Sequence, residues 1–309
     1  MQSAFVTYSQ IRAMHMRRVS ATLLLGVCRC LVAAAIHSQS PADSAYTEVF
    51  YPSGNLRIQA YLYKPDGDGP FPVVIYNHGS RAGRERHSAP FEYIGRLLTQ
   101  AGYAVLVPER RGYGRSDGST WLEDIGNDRG QRFIARLQAE TDDVLAALDY
   151  LRTLPFADTQ RLGIMGWSLG GIVTMFAVSR SSAFAVAIDQ AGAALTWDGN
   201  AQVRSALIAA AEKGTTPVLL LVAQNDRTTA SITTLAEIFK KRGVPHRMVL
   251  YEPFTPQQAG GAATAPGHLV FSAQGTHVWE RDVLEFLGRY LGATARGTPS
   301  GADPTKSQQ

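Results

Sequence analysis

Apolar residues along this chain gather in short continuous runs and in helical stripes, and the two kinds alternate. Residues 72–76, 104–107, 162–165, 184–188 and 217–222 are unbroken apolar runs of strand length. Such runs predict strands covered on both faces. Between them lie stripes at helical spacing. Phe91, Ile94, Leu97 and Leu98 share one face, closed by Gly102. A helix over 127–154 carries Val144, Leu145, Leu148 and Leu151 and stops at Pro155. Residues 197–213 predict a helix that helps cover a site. Ile232, Leu235, Ile238 and Phe239 make another face, closed by Gly243. A last helix, capped by Thr276, buries Trp279, Val283, Phe286, Leu287 and Tyr290.

The ends of the chain break the alternation. Residues 46–51 and 56–64 alternate apolar and polar positions about Pro52-Ser53-Gly54-Asn55, which predicts an antiparallel hairpin with one solvated face. With residues 247–252 as the last strand, eight strands are expected. Strands separated by helices imply α/β architecture: a mostly parallel eight-stranded sheet with helices on both faces and the hairpin at its N-terminal side. Residues 253–267 are rich in Gly, Ala and Pro and are expected to form a long loop. Residues 293–309 are small and polar, the composition of a disordered tail.

Residues 1–38 read as an export signal. Arg17 and Arg18 precede an apolar stretch at 19–36, and small residues follow. Arg29 interrupts the stretch and disfavours an uncleaved membrane anchor. Gly26-Val27 matches a lipoprotein signal at Cys28 poorly. Both cysteines, Cys28 and Cys30, lie in this segment, so the mature chain needs no disulfide. The segment also contains four arginines and no acid, leaving 26 basic against 26 acidic residues in the remainder. The pI of 9.1 therefore predicts no nucleic-acid partner. The expected organisation is a signal at 1–38, a linker at 39–45, one catalytic domain at 46–292 and the tail. Localisation is expected to be secreted or periplasmic, with no stable membrane span after cleavage.

The chemistry starts at Gly166-Trp167-Ser168-Leu169-Gly170. This G-x-S-x-G lies between an apolar strand and an apolar helix, the context of a nucleophile elbow. The turn holds Ser168 strained above the sheet, and Gly166 and Gly170 avoid side-chain collisions. The dipole of the following helix favours negative charge there. Asp226 ends the most apolar strand and is the candidate acid. Asp189, at another strand end, is the alternative. Seven histidines are present. His15 and His37 go with the signal, His78 and His87 precede the serine, and His246 opens a strand at its wrong end. His268 in the loop before the last helix and His277 in that helix's first turn remain, and His268 is favoured. It would take and return the Ser168 proton, with Asp226 holding the imidazole. Backbone N–H groups of Leu169 and of Ser80 or its neighbour are the oxyanion candidates. His78 is assigned a structural role. The basic loop with Arg81, Arg84 and Arg86 is either a substrate-carboxylate site or solvated surface. No metal or cofactor is implied.

Asn77-His78-Gly79-Ser80, the segment from Arg110 to Gly118, Gly166-Trp167-Ser168-Leu169-Gly170-Gly171, Asn225-Asp226 and Gly267-His268 together resemble the α/β-hydrolase superfamily over residues 46–292. The chain is most similar to its dienelactone hydrolase-like and acyl-peptidase-like members. The resemblance implies nucleophile, acid, base and oxyanion roles at these positions. Dienelactone hydrolases carry cysteine where this chain has Ser168. Acyl-peptidase relatives carry a propeller ahead of the hydrolase, for which the segment before residue 46 is too short. The expectation is an exported serine esterase acting on a small-molecule acyl ester. Amide or peptide cleavage is the alternative, and an inert binding module is the reading from another class.

Overall fold

All the apolar runs become strands, and their neighbours in space follow a fixed order. In the computed structural model, residues 45–128, 130–257 and 265–292 are described. The export segment, residues 39–44 of the linker and the C-terminal tail lie outside them. The strands are β1 (Thr47–Ser53), β2 (Leu56–Tyr63), β3 (Phe71–Asn77), β4 (Ala104–Glu109), β5 (Ala157–Trp167), β6 (Val186–Gln190), β7 (Val218–Ala223) and β8 (His246–Tyr251). They form one eight-stranded sheet in the order β1-β2-β4-β3-β5-β6-β7-β8. β1 pairs antiparallel with β2, and β2 antiparallel with β4. Every other pairing is parallel.

Every residue of β7 is fully buried. Successive strand residues point to opposite faces, so both faces of the sheet are covered there. The cover is α1 (Glu92–Gln100), α2 (Trp121–Ile125), α3 (Gln131–Arg152), α4 (Leu169–Arg180), α5 (Ala201–Lys213), α6 (Ala230–Arg242) and α7 (Thr276–Leu291). α1 touches α7, while α3, α4, α5 and α6 touch in series. This is the α/β-hydrolase fold.

Sequence order reverses at the centre of the sheet, where β4 lies on one side of β3 and β5 on the other. In open α/β sheets a crevice forms at the carboxyl ends of strands flanking such a reversal. Ser80 follows β3 and Ser168 follows β5, so both stand at that crevice.

The structure corrects several expected elements. The hairpin has no fully solvated face at β2, which is buried from Ile58 to Tyr63. The segment after β4 folds over it: Gln59 N–H donates to Ser116 Oγ (2.8 Å) and Arg115 N–H to Gln59 Oε1 (2.6 Å). α3 starts at Gln131 rather than 127, because the separate five-residue α2 precedes it. α5 starts at Ala201 and packs on α4 and α6 as a layer helix. Thr276 does not cap α7. Two 3-10 turns, Pro266–Phe271 and Ala273–Gly275, run straight into the helix, and the Thr276 hydroxyl donates back to Ala273 O. The loop expected over 253–267 thus ends in ordered structure at its last two residues. No helix among the described residues is long and apolar enough to cross a membrane.

Candidate active site

Ser168 has φ 59° and ψ −118°, a conformation that costs a non-glycine residue on the order of 1–3 kcal/mol. The surroundings enforce it. Ser168 N–H donates to Gln190 O on β6 (2.9 Å), and Gly171 N–H donates back to Ser168 O (3.0 Å). The elbow is also pressed into the sheet. A side chain at Gly166 would collide with the Gly170 carbonyl, and one at Gly170 with the Asn77 carbonyl of β3. Only glycine at both positions lets α4 start this close to the strands. α4 then points its N-terminal dipole at Ser168.

Asp226 lies just beyond β7, and its two carboxylate oxygens are divided. Oδ1 accepts the Arg227 N–H (2.7 Å), and Oδ2 meets His268 Nδ1 at 2.8 Å. Both side chains are buried. A carboxylate only accepts, so Nδ1 is the donor of this bond. Nε2 is buried and has no hydrogen-bond partner. His268 is held in the Pro266–Phe271 3-10 turn, where composition predicts a long loop. Asn225 fixes that turn from below. It accepts the Phe254 N–H and donates to Phe254 O, both at 2.9 Å, and its carbonyl accepts the Gly267 N–H. Trp167, next to the nucleophile, donates Nε1–H to the His268 carbonyl (3.1 Å), and the two rings lie 5.6 Å apart. The imidazole is therefore held by the acid and the backbone of His268 by the residue beside the nucleophile, and His268 makes no hydrogen bond to Ser168.

The structure separates the alternatives left open by sequence. Asp189, the residue before the end of β6, is fully buried, its Oδ1 accepting the Gly192 N–H (2.7 Å), and it makes no hydrogen bond to His268. Burial pushes its pKa up to about 7, against the pull of the Gly192 N–H. His277 is exposed at the start of α7.

The loop after β3 lies against the nucleophile. A Cβ at Gly79 would stand 3.1 Å from Ser168 Cβ. Among the described residues, the N–H groups of Ser80 and Leu169 donate to no protein acceptor. Beneath them is a buried ionic layer. His78 Nδ1 donates to Gly79 O (2.7 Å), its ring stacks on Phe91, and Tyr113 meets it edge-on. Burial holds the His78 pKa well below its ordinary value, helped by the charges of Arg110 and Arg81. His78 is a neutral structural residue. Glu109 pairs with Arg81 and accepts the Ala89 N–H (2.9 Å). Burial raises the Glu109 pKa, with Arg81 pulling it back. Arg110 joins the His78 carbonyl (2.8 Å) to Glu140 of α3 (2.7 Å).

Arg81 and Arg86 are thus engaged within the protein. Arg86 donates to the carbonyls of Ser116 (2.7 Å) and Gly118 (2.6 Å). Arg84, the third arginine of the loop, is exposed. Sequence reasoning missed α2, which closes over this loop. Its signal was present: Thr120 and Glu123 form a capping box. It also missed Trp167 as the link between elbow and histidine. Among the described residues no group of three or more His, Cys, Asp or Glu side chains is arranged to hold a metal ion.

Residues 90–198 match the model of the prolyl oligopeptidase family, Peptidase S9. That stretch spans α1 through the elbow and β6. The quorum-quenching protein AidA of Acinetobacter baumannii is 28% identical over 152 residues, 49% of this chain and 44% of that protein. The acylaminoacyl peptidase of Pyrococcus horikoshii superposes with a TM-score of 0.62 at 21% identity, over 82% of this chain and 43% of that one. Est1E of Butyrivibrio proteoclasticus, solved with ferulic acid bound, superposes with a TM-score of 0.58 at 18% identity, over 79% of this chain and 99% of that one. The chain spans less than half the length of the curated relatives it matches.

Proposed function

We propose that this chain, an α/β-hydrolase fold with a Peptidase S9 segment at its centre, cleaves carboxylic esters through an acyl-enzyme on Ser168. The observation that carries the proposal is the 2.8 Å bond from His268 to Asp226, made by a histidine whose backbone carbonyl is held by Trp167, the neighbour of the strained serine. In this scheme His268 Nε2 removes the Ser168 hydroxyl proton as Oγ attacks the carbonyl carbon. Asp226 keeps the proton on Nδ1 and stabilises the imidazolium that forms. The N–H groups of Leu169 and Ser80 receive the oxyanion. Losing one such donor raises the barrier by on the order of 3 kcal/mol. The imidazolium then protonates the leaving alkoxide, and water enters by the same route to release the acid.

The pair of unengaged backbone donors suits acyl transfer from an ester. The amide reading keeps the same residues and is supported by the peptidases among the similar proteins. The export reading of residues 1–38 belongs to this proposal and gives the enzyme a secreted or periplasmic setting. Turnover of a short-acyl p-nitrophenyl ester by wild type and by Ser168→Ala tests the chemistry. Wild type is expected to turn over the ester and Ser168→Ala to lose at least about three orders of magnitude in kcat. Equal rates in the two proteins end the proposal. Parallel rates on a matched anilide separate ester from amide preference.

A further inference from the structure

Beside the two candidate oxyanion donors lies a cavity of about 230 Å3. Trp121, Leu122, Ile125 and Phe133 supply apolar walls, and Ser80 and Leu169 also line it. Resting on the proposal that Ser168 attacks an ester, we infer that this cavity holds the acyl portion of the substrate. We infer further that it selects neutral aryl or medium-length alkyl acyl groups against acyl groups ending in a carboxylate.

The assignment to the acyl side follows from the reaction. The tetrahedral carbon would carry Ser168 Oγ, the oxyanion, the leaving oxygen and the acyl chain. His268 must return a proton to the leaving oxygen, so that group lies towards the imidazole. No residue of the segments carrying Asp226 or His268 lines the cavity, whereas both oxyanion candidates do. The acyl chain is the substituent left to enter it.

Size and rigidity follow from α2. An apolar cavity of about 150 Å3 accepts benzene, so this one has room for a ring and a short linker. Its wall is pre-built. Trp121 Nε1 donates to buried Glu140 (2.7 Å), Asp124 pairs with Arg136, and Trp121 meets the Phe133 ring at 5.0 Å. Leu122 is 74% exposed, although its neighbours Trp121 and Ile125 are buried. Its side chain serves no core packing and lies where an entering apolar group would cover it.

Charge selection rests on Glu85. It lines the cavity, is only 9% exposed, and its carboxylate makes no ion pair or hydrogen bond among the described residues. Arg81, on the same loop, is engaged by Glu109, and Arg86 by two carbonyls. An acyl group with a terminal carboxylate would meet a like charge that no ion pair offsets.

The test compares kcat/KM for the p-nitrophenyl esters of acetate, phenylpropionate and succinate (half-ester) in wild type, Leu122→Ala and Glu85→Gln. Wild type is expected to prefer phenylpropionate to acetate and to reject the succinate half-ester. Leu122→Ala is expected to lower the phenylpropionate-to-acetate ratio about tenfold, the scale of a lost apolar contact in a specificity pocket. Glu85→Gln is expected to raise the succinate-to-phenylpropionate ratio about tenfold. If Ser168-dependent acetate turnover is present but neither ratio moves, the subsite inference falls and the hydrolase proposal stands. A shift in only one ratio overturns the half of the inference that the other ratio reports. If wild type turns over none of the three esters, the hydrolase proposal fails and takes this inference with it.

Discussion

Asp189 and Asp226 show what single residues reveal before and after folding. Both end apolar strands, and nothing in their local sequence separates them. Their partners do, because only Asp226 receives an imidazole, through a turn that is 42 residues further along the chain. Asp189 instead sits fully buried with Oδ2 unpartnered, beneath Gly171 and Gly192. Burial raises its pKa to about 7 from an ordinary 3.8. The folded state therefore binds this proton more tightly than the unfolded chain. Stability from the protonated form is complete below about pH 4 and is lost as pH rises through about 7. Asp189→Asn keeps the acceptor for Gly192 and removes the titration. Urea unfolding at several pH values between about 4 and 8 should show wild type losing up to a few kcal/mol relative to Asp189→Asn as pH rises. Parallel curves would contradict the assignment.

Among the elements, the long ones were legible and the short ones were not. A strand such as β7 or a helix such as α7 repeats its apolar signal often enough to be read. α2 has five residues and the His268 turn six, too few for any period to emerge. The turn begins inside the stretch expected as a loop, because Gly, Ala and Pro dominate its approach. Its order comes from partners distant in sequence, Asn225 and Trp167. The joints between elements were equally hidden. Glu140 of α3 accepts from Arg110, Trp121 and Arg136 at 2.7, 2.7 and 3.0 Å, all of them buried. It joins the end of β4, α2 and α3 in one hub. Removing it leaves Arg110 buried without its carboxylate. Glu140→Ala should cost about 3–5 kcal/mol, read from the urea midpoint and slope. A loss below about 1 kcal/mol would show that the hub is not what holds α2 and α3 together.

At the scale of the molecule, the number and type of strands followed from the apolar pattern, but their order did not. Pairing β3 with both β4 and β5 is a long-range choice that no local period encodes. That choice makes the crevice. It brings Gly79 against Ser168 and places Ser80 and Leu169, whose N–H groups meet no acceptor among the described residues, on the wall of one cavity. The account rests on three side chains, from the ends of β5 and β7 and from the turn after β8, acting as one proton relay. Fluorophosphonate labelling, with the adduct mapped by mass spectrometry, measures this most directly. The account predicts a single adduct on Ser168 in wild type and none in Ser168→Ala. It also predicts labelling slower by about three orders of magnitude in His268→Ala and Asp226→Asn. An adduct on another residue, or labelling of His268→Ala at the wild-type rate, would contradict it.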